Sequence, residues 1–146
     1  MKHILLLSMC WMFLSDAGFE REHFVFQGRK AWFIKPDKEL PGKPWVWRAH
    51  FPEWHTEVDS ILLSEGFHVV YLNTNDMFGS NAAMQIWDAF YEYLVRQRGF
   101  SPIVALEGVS RGGLYVYQWA KRNPLKVSCI YAEAPVCDIK SWPGGK

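Results

Sequence analysis

The sequence carries almost no net charge, few cysteines and no low-complexity tract. Its 16 Lys and Arg are balanced by 15 Asp and Glu, which leaves a net charge of +1 over 146 residues. Nucleic-acid-binding and membrane-surface proteins present clustered excess charge, so this balance excludes an electrostatic footprint for either partner. No internal repeat is visible. The length therefore predicts a single globular domain of ordinary size.

Several binding motifs are also absent. No G-x-x-x-x-G-K-[ST] or G-x-G-x-x-G sequence occurs, which argues against a phosphate-binding or dinucleotide-binding loop. The 3 cysteines lack the spacing of a zinc site or a redox motif. His50 and His55 lie close together in the sequence, but no third ligand falls at a suitable spacing. We therefore expect neither a metal nor a cofactor.

The N-terminus is typical of an export signal. A short basic stretch precedes an apolar run over residues 4–14, and small residues at positions 15 and 17 fit cleavage before Gly18. The run is too short to span a bilayer comfortably, and the alternative is a buried N-terminal strand or helix. We expect residues 1–17 to be a signal peptide, residues 18–146 to form the mature chain, and the protein to be periplasmic or extracellular.

Two cysteines, Cys129 and Cys137, remain after such a cleavage. In an exported chain they could form a disulfide. Cys129, however, lies in a strand over residues 127–131 that the apolar pattern predicts to be buried. A free thiol packed in the core is therefore at least as consistent with the sequence as a bridge.

The hydrophobic pattern alternates between strand and helix. After an opening hairpin over residues 24–34, the predicted strands are 45–47, 67–72, 102–106 and 126–132. The predicted helices are 55–64, with Val58, Ile61 and Leu62 at helical spacing, 80–98, with Met84, Trp87, Tyr91 and Leu94 on one stripe, and 114–122. This alternation predicts an α/β fold with a mostly parallel sheet and helices on both faces.

One motif carries chemistry. Residues 108–112 form the pattern G-x-S-x-G, directly after a predicted buried strand and directly before a helix, which is the context of a nucleophile elbow. Side chains at Gly108 and Gly112 would clash with the neighbouring strand and helix. The tight turn raises the Ser110 hydroxyl above the carboxyl edge of the sheet and aims the Arg111 N–H at a developing oxyanion. The alternative is a glycine-rich turn that serves only packing.

An oxyanion hole needs a second N–H, usually from the loop after an earlier strand of the sheet. That loop here covers residues 48–55, and the backbone N–H groups of Arg48 and Ala49 are the candidates. The Arg48 side chain could alternatively bind a substrate carboxylate or an internal acid.

An activated serine also needs a base and a carboxylate that orients the base. In elbow hydrolases the acid and the histidine follow the serine along the chain. All 5 histidines precede Ser110, so none fits that order. Glu133 and Asp138 follow it, and Glu133 comes just after a predicted strand. Each could be an orienting acid or a substrate contact, but we favour a structural carboxylate that caps the loop.

Several segments together resemble a group of secreted bacterial α/β-hydrolase-fold proteins, some of which occur in polysaccharide-degrading, esterase-rich settings. The matching segments are residues 45–49, 51–55, 66–69, 87–91, 106–114, 134–138 and 140–146. The elbow is shared by the whole superfamily, whereas the tryptophan-rich segments and the final heptapeptide are more specific.

The resemblance implies a serine hydrolase with Ser110 as nucleophile and the Arg111 N–H in the oxyanion hole. It also implies further strands and helices after Lys146 that carry the acid and the histidine. We therefore expect this chain to be an N-terminal fragment with little or no activity alone. The expected substrate is an acylated carbohydrate or another small ester. A peptidase and a non-catalytic binding or structural module are the alternatives.

Overall fold

The structure is a computed structural model that describes residues 15, 16 and 18–141. Residues 1–14 and 17 of the expected signal peptide lie outside the described residues, so that expectation stays a prediction. Residues 142–146 of the family-like C-terminal segment also lie outside them. Among the helices that are described, none is both long enough and apolar enough to cross a membrane.

Within the described residues, seven strands form one sheet in the order β1-β2-β3-β5-β4-β6-β7. The strands are β1 (Ser15–Asp16), β2 (Phe19–Phe26), β3 (Arg29–Ile34), β4 (Trp45–Ala49), β5 (His68–Leu72), β6 (Val104–Val109) and β7 (Val127–Glu133). Strands β5, β4, β6 and β7 pair in parallel, whereas β1, β2 and β3 extend the sheet through antiparallel pairs. The parallel strands place their carboxyl ends at one common edge of the sheet.

Three helices connect the parallel strands and cover both faces of the sheet. They are α1 (Glu57–Ser64), α2 (Asn81–Arg98) and α3 (Gly113–Arg122). Helices α2 and α3 pack on one face and form the larger core, while α1 contributes Leu63 to a smaller core on the other face. The α/β fold class predicted from the sequence is therefore confirmed, with an antiparallel edge added to the parallel strands.

Helix α2 follows its sequence signals closely. The Ser80 hydroxyl accepts a hydrogen bond from the Ala83 N–H at 3.3 Å, as an N-cap does. Gly99 ends the helix in the left-handed conformation, with φ of 73°. The four residues of the predicted stripe, Met84, Trp87, Tyr91 and Leu94, are all buried.

Stacked tryptophans fill the larger core. Trp47 on β4 is fully buried, and its ring centroid lies 4.0 Å from that of Trp87 on α2, with an interplanar angle of 16°. Trp119 on α3 meets Trp47 nearly edge-on at 5.4 Å, so one side chain joins the central strand to both helices. The high aromatic content of the sequence thus serves packing in this layer.

The predicted apolar stripe of α1 is confirmed only in part. Val58 is half-buried and Leu62 packs against the smaller core, but Ile61 is 61% exposed, and the buried residues of the helix are Asp59 and Leu63. The reason is electrostatic: Asp59 forms an ion pair with the buried guanidinium of Arg48. A carboxylate, and not Ile61, therefore faces the sheet.

The expected burial of Cys129 is also wrong. Strand β7 is an edge strand within the described sheet, and its residues are half-buried or exposed. Cys129 and Cys137 are both exposed, and neither forms a disulfide. An apolar run alone does not distinguish an edge strand from a central one, because both positions accept β-branched residues.

Replacing Trp47 with alanine should lower the free energy of unfolding by about 3–5 kcal/mol, because a fully buried indole is lost and leaves a cavity between three elements. Urea denaturation followed by tryptophan fluorescence measures the change. Leu125→Ala is the matched control, since Leu125 is 90% exposed and its removal should have little effect. Equal losses for both variants would contradict the central role of Trp47.

Candidate active site

Ser110 occupies a sharp turn at the carboxyl edge of the sheet. Strand β6 runs to Val109, residues Ser110–Gly112 form one turn of 3-10 helix, and α3 begins at Gly113. Ser110 is half-buried and has a φ of +51°, a conformation that costs a non-glycine residue free energy. The chain thus changes direction at the serine, which is the geometry of a nucleophile elbow.

Three glycines make the turn possible by allowing close backbone contact. A Cβ atom on Gly112 would overlap the carbonyl oxygen of Ala49 at the end of β4. A Cβ on Gly108 would lie 2.7 Å from a methyl group of Val116 on α3, and one on Gly113 would lie 2.6 Å from the Val136 carbonyl oxygen. The glycines therefore allow β4, α3 and the loop after β7 to meet at Ser110.

Strained backbone is concentrated at the same edge. Six of the eight described non-glycine residues with positive φ lie in the loops that follow β4, β5, β6 and β7. They are His50, Phe51, His55, Phe78, Ser110 and Ala134. Strain of this kind collects at functional sites, because surrounding contacts must hold each residue in place. Backbone geometry and the G-x-S-x-G motif therefore both indicate that the candidate site lies at the carboxyl edge.

The guanidinium of Arg48 organises the loop after β4. The side chain is completely buried, donates to the Phe51 carbonyl at 3.0 and 3.1 Å and to the His55 carbonyl at 3.2 Å, and also donates to the Trp54 carbonyl. The same group pairs with Asp59 at 2.8 Å and with Glu107 at 2.7 Å. The sequence left open whether the Arg48 side chain binds a substrate carboxylate or an internal acid. In the structure it binds two internal acids.

The backbone of Arg48 lies inside the sheet. Its neighbours are Tyr71 of β5 on one side and Glu107 of β6 on the other. Ala49 is the last residue of β4, has Gly108 as its β6 neighbour, and lies against Gly112 of the turn. The position therefore favours Ala49 over Arg48 as the source of the second oxyanion-hole N–H, a role that stays a proposal.

Glu107 and Asp59 share the charge of Arg48 in the protein interior. Burial, followed by the hydrogen bond and the charge of Asp59, raises the pKa of Glu107 to about 9, although the Arg48 charge acts in the opposite direction. The two carboxyl oxygens that Arg48 does not take, Asp59 Oδ1 and Glu107 Oε2, have no donor among the described residues. One proton held by this carboxyl pair accounts for both observations.

Sequence reasoning missed both of these acids. Glu107 precedes the elbow and interrupts an apolar strand, which is a usable signal, because a carboxyl group in a buried strand needs a partner. Asp59 gives no such signal, since an acidic residue in the first turn of a helix is ordinary.

The last residue of β7, Glu133, pairs with a histidine from the β4 loop. Its Oε1 lies 3.0 Å from His55 Nδ1, and the two side chains are 38% and 36% exposed. Tyr131 is near the other carboxylate oxygen at 3.5 Å. The structure therefore brings together an imidazole and a carboxylate that the sequence separates by more than half of the chain. Asp138 lies in the exposed loop that follows, where it accepts a hydrogen bond from the Lys140 N–H.

Other polar groups surround the elbow. The Arg111 guanidinium lies 5.1 Å from the centre of the Phe51 ring. His50 is buried, and burial lowers its pKa, as does the nearby charge of Arg111, against an opposing contribution from Asn75. The Val136 N–H donates to the Ser110 carbonyl at 2.8 Å. The loops after β4, β6 and β7 thus converge at Ser110.

Two cavities of the described surface lie elsewhere. One, of about 190 Å³, separates α1 from β2 and β3, and the other, of about 420 Å³, lies between the β2–β3 turn and the loop after β5. Neither is lined by Ser110. In the described part of the chain, no three His, Cys, Asp or Glu side chains cluster as a metal site requires.

No protein-family model and no curated protein matches this sequence. Solved structures do match the fold. A cold-adapted esterase from an Arctic intertidal metagenomic library superimposes with a TM-score of 0.61 at 15% identity, over 85% of this chain and 63% of the esterase. The Francisella virulence factor BioJ superimposes with a TM-score of 0.64 at 17% identity, over 86% and 47%.

An esterase from Pyrococcus furiosus gives a TM-score of 0.60 at 15% identity, over 84% of this chain and 53% of that one. The chain has the α/β-hydrolase fold. It spans between about half and about two thirds of the length of these structures. At such identities the likeness shows the fold alone, so the chemistry has to be argued from the site.

Gly112→Ala should disrupt the turn, because the added methyl group overlaps the Ala49 carbonyl oxygen in backbone that cannot move freely. We expect a loss of about 1–3 kcal/mol in the free energy of unfolding, as overpacking typically costs. Gly28→Asn is the control, since Gly28 also has positive φ but has open space around it, and asparagine tolerates that conformation. A Gly112→Ala variant as stable as the control would show that the contact is unimportant.

The free energy of unfolding should decrease as pH rises, because Glu107 is protonated in the folded protein. Its pKa of about 9 in the folded protein lies above the ordinary value of 4.5, so folding retains a proton that the unfolded chain releases. This contribution is fully present below pH 4.5 and is lost as pH rises toward about 9.

Glu107→Gln keeps a neutral polar group and should remove this component. Urea unfolding across the window should then show a steeper decline with pH for the wild type than for the variant. Glu65→Gln, at an exposed position, should retain the wild-type slope. Parallel curves for the wild type and Glu107→Gln would contradict protonation of the buried pair.

Proposed function

We propose that this chain carries the nucleophile of a serine hydrolase that acts on carboxylic esters. The main support is the position of Ser110. It lies in strained backbone between β6 and α3, at the edge where the loops after β4 and β7 converge. Glycine or asparagine at position 110 would relieve this strain, and a serine kept in strained backbone is typical of a functional residue. Two of the matching structures are esterases, which is in keeping with this reaction.

In this reaction the Ser110 hydroxyl oxygen attacks the ester carbonyl and loses its proton to a base. The carbonyl oxygen becomes an oxyanion, which the Arg111 N–H at the start of the helical turn would stabilise, with Ala49 as the second donor. Collapse of this intermediate releases the alcohol and leaves an acyl group on Ser110. Water then hydrolyses the acyl-enzyme.

The substrate class rests on the family resemblance. An acylated carbohydrate suits the polysaccharide-degrading settings in which some proteins of the resembled group occur, and export by residues 1–17 would bring the enzyme to such a polymer. The exposed Trp54, next to His55 in the β4 loop, offers an aromatic face near the site on which a sugar ring could stack.

A fluorophosphonate probe tests the proposal on the full-length gene product. The probe should label the wild type and fail to label Ser110→Ala, because it reacts only with an activated serine. Ser128→Ala, at an exposed position on β7, is the matched control and should label normally. A folded wild type that does not label would favour a non-catalytic module. Turnover of amides at the rate of matched esters would favour a peptidase.

A further inference from the structure

One strained loop supplies the three carbonyl groups that the Arg48 guanidinium binds. The loop covers residues 50–56 after β4, and the acceptors are the carbonyls of Phe51, Trp54 and His55. Phe51 and His55 have φ values of +42° and +55°, which cost a non-glycine residue free energy. In the described part of the chain, residues 50–56 form only one backbone hydrogen bond with each other, from the Trp54 N–H to the Phe51 carbonyl at 3.3 Å. A buried side chain, and not a backbone ladder, therefore holds this loop in its strained conformation.

The end of β4 and the loop that follows it contact the elbow at two points. The carbonyl oxygen of Ala49 lies so close to Gly112 that a Cβ atom on this glycine would be only 2.3 Å away. The ring of Phe51 lies next to the Arg111 guanidinium, at 5.1 Å from its centre. Arg111 and Gly112 belong to the turn that begins at Ser110. Because no free space separates the two segments at Gly112, a displacement of the loop would change the surroundings of Ser110.

Arg48 also fixes the strand that leads to the elbow. Its Nη1 atom lies 2.7 Å from a carboxyl oxygen of Glu107, and both side chains are completely buried. Glu107 is the neighbour of Arg48 in the β4–β6 ladder, and its strand ends one residue before Ser110. One guanidinium thus connects the end of β4, where Ala49 lies, with the strand whose turn carries Arg111. Ala49 and Arg111 are the two proposed donors of the oxyanion hole.

The acceptors around Arg48 require the donor geometry of a guanidinium. An arginine side chain has five N–H groups in one plane, whereas a lysine has three on a single nitrogen. Here Nε and both Nη atoms donate together to the three loop carbonyls and to the carboxyl groups of Asp59 and Glu107. The substitution Arg48→Lys would keep the positive charge, but one ammonium group could not reach both acids and the loop. It therefore separates the charge of this residue from its hydrogen-bond geometry.

We propose that Arg48 is a positioning residue for the oxyanion hole: by holding the loop after β4 against the elbow, it aligns the N–H groups of Ala49 and Arg111 near Ser110. This role rests on the proposed ester hydrolysis and deepens it. Arg48 touches none of the reacting atoms, since its side chain is completely buried and its nitrogen atoms donate within the protein. The oxyanion forms only as the ester reacts, so misaligned donors should lower kcat and leave KM nearly unchanged.

Hydrolysis of p-nitrophenyl acetate by the full-length gene product tests this role. Arg48→Lys should lower kcat by about 10²–10³-fold, the usual cost of losing one oxyanion-hole donor, with little change in KM. Arg29→Lys is the matched control, because Arg29 forms an exposed ion pair with Asp76 of the loop after β5 and should keep the wild-type kcat. Urea unfolding gives the folded fraction of each variant. The assignment would be overturned by an unchanged kcat, by a decrease no larger than the loss of folded protein, or by a change confined to KM.

Amide hydrogen exchange gives a second measurement that does not depend on activity. In Arg48→Lys, the amides of residues 50–56 should exchange faster than in the wild type, while those of α2 should keep the wild-type rate. Unchanged exchange in residues 50–56 would overturn the assignment. Faster exchange in α2 as well would also overturn it, since that result shows a general loss of stability. A wild type that hydrolyses no ester would instead refute the proposed hydrolase, and the exchange rates would still show whether Arg48 holds the loop.

Discussion

The buried guanidinium of Arg48 is the interaction on which the rest of the site depends. It lies at the centre of the sheet, between β5 and β6, and connects three parts of the fold: the loop after β4, helix α1 and the strand that leads to the elbow. A buried ion pair adds little net stability, yet loss of one member leaves a charge without a partner and costs about 3–5 kcal/mol. Its main effect here is therefore positional, because the carbonyl groups of a strained loop have few alternative donors.

This constraint explains the arrangement around Ser110. With the β4 loop fixed, Ala49 can lie against Gly112 and His55 can reach Glu133. The same guanidinium pairs with Asp59, which places a carboxylate of α1 against the sheet. The Arg48 charge favours the ionised form of Glu107, but burial and Asp59 raise its pKa more, so the carboxyl pair keeps one proton. A polar network thus occupies one face of the sheet near the site, while tryptophan packing occupies the other.

Much of the fold could be predicted from the sequence because the signals were local. Helix α2 has a serine cap, a glycine end and a regular apolar stripe, and the elbow has glycines where side chains would clash. The errors arose where distant residues decide. On α1 it is Asp59, paired with the buried Arg48, that faces the sheet, and Ile61 is exposed. Cys129 is exposed because β7 lies at the sheet edge. Periodicity reports which residues could face a core, but it does not report which strand is central or where a buried charge lies.

For the site, the sequence by itself determined the glycine-rich turn and, with it, the candidate nucleophile Ser110. The motif around Ser110 combines chemistry and backbone geometry within five consecutive residues, so its meaning does not depend on distant contacts. Only the tertiary structure decided its surroundings. Arg48 proved to be an internal ligand for two acids, and Glu133 gained a histidine partner that precedes the serine in the chain. Such pairs depend on which loops meet at the carboxyl edge, and that follows from strand order, which no short stretch of sequence encodes.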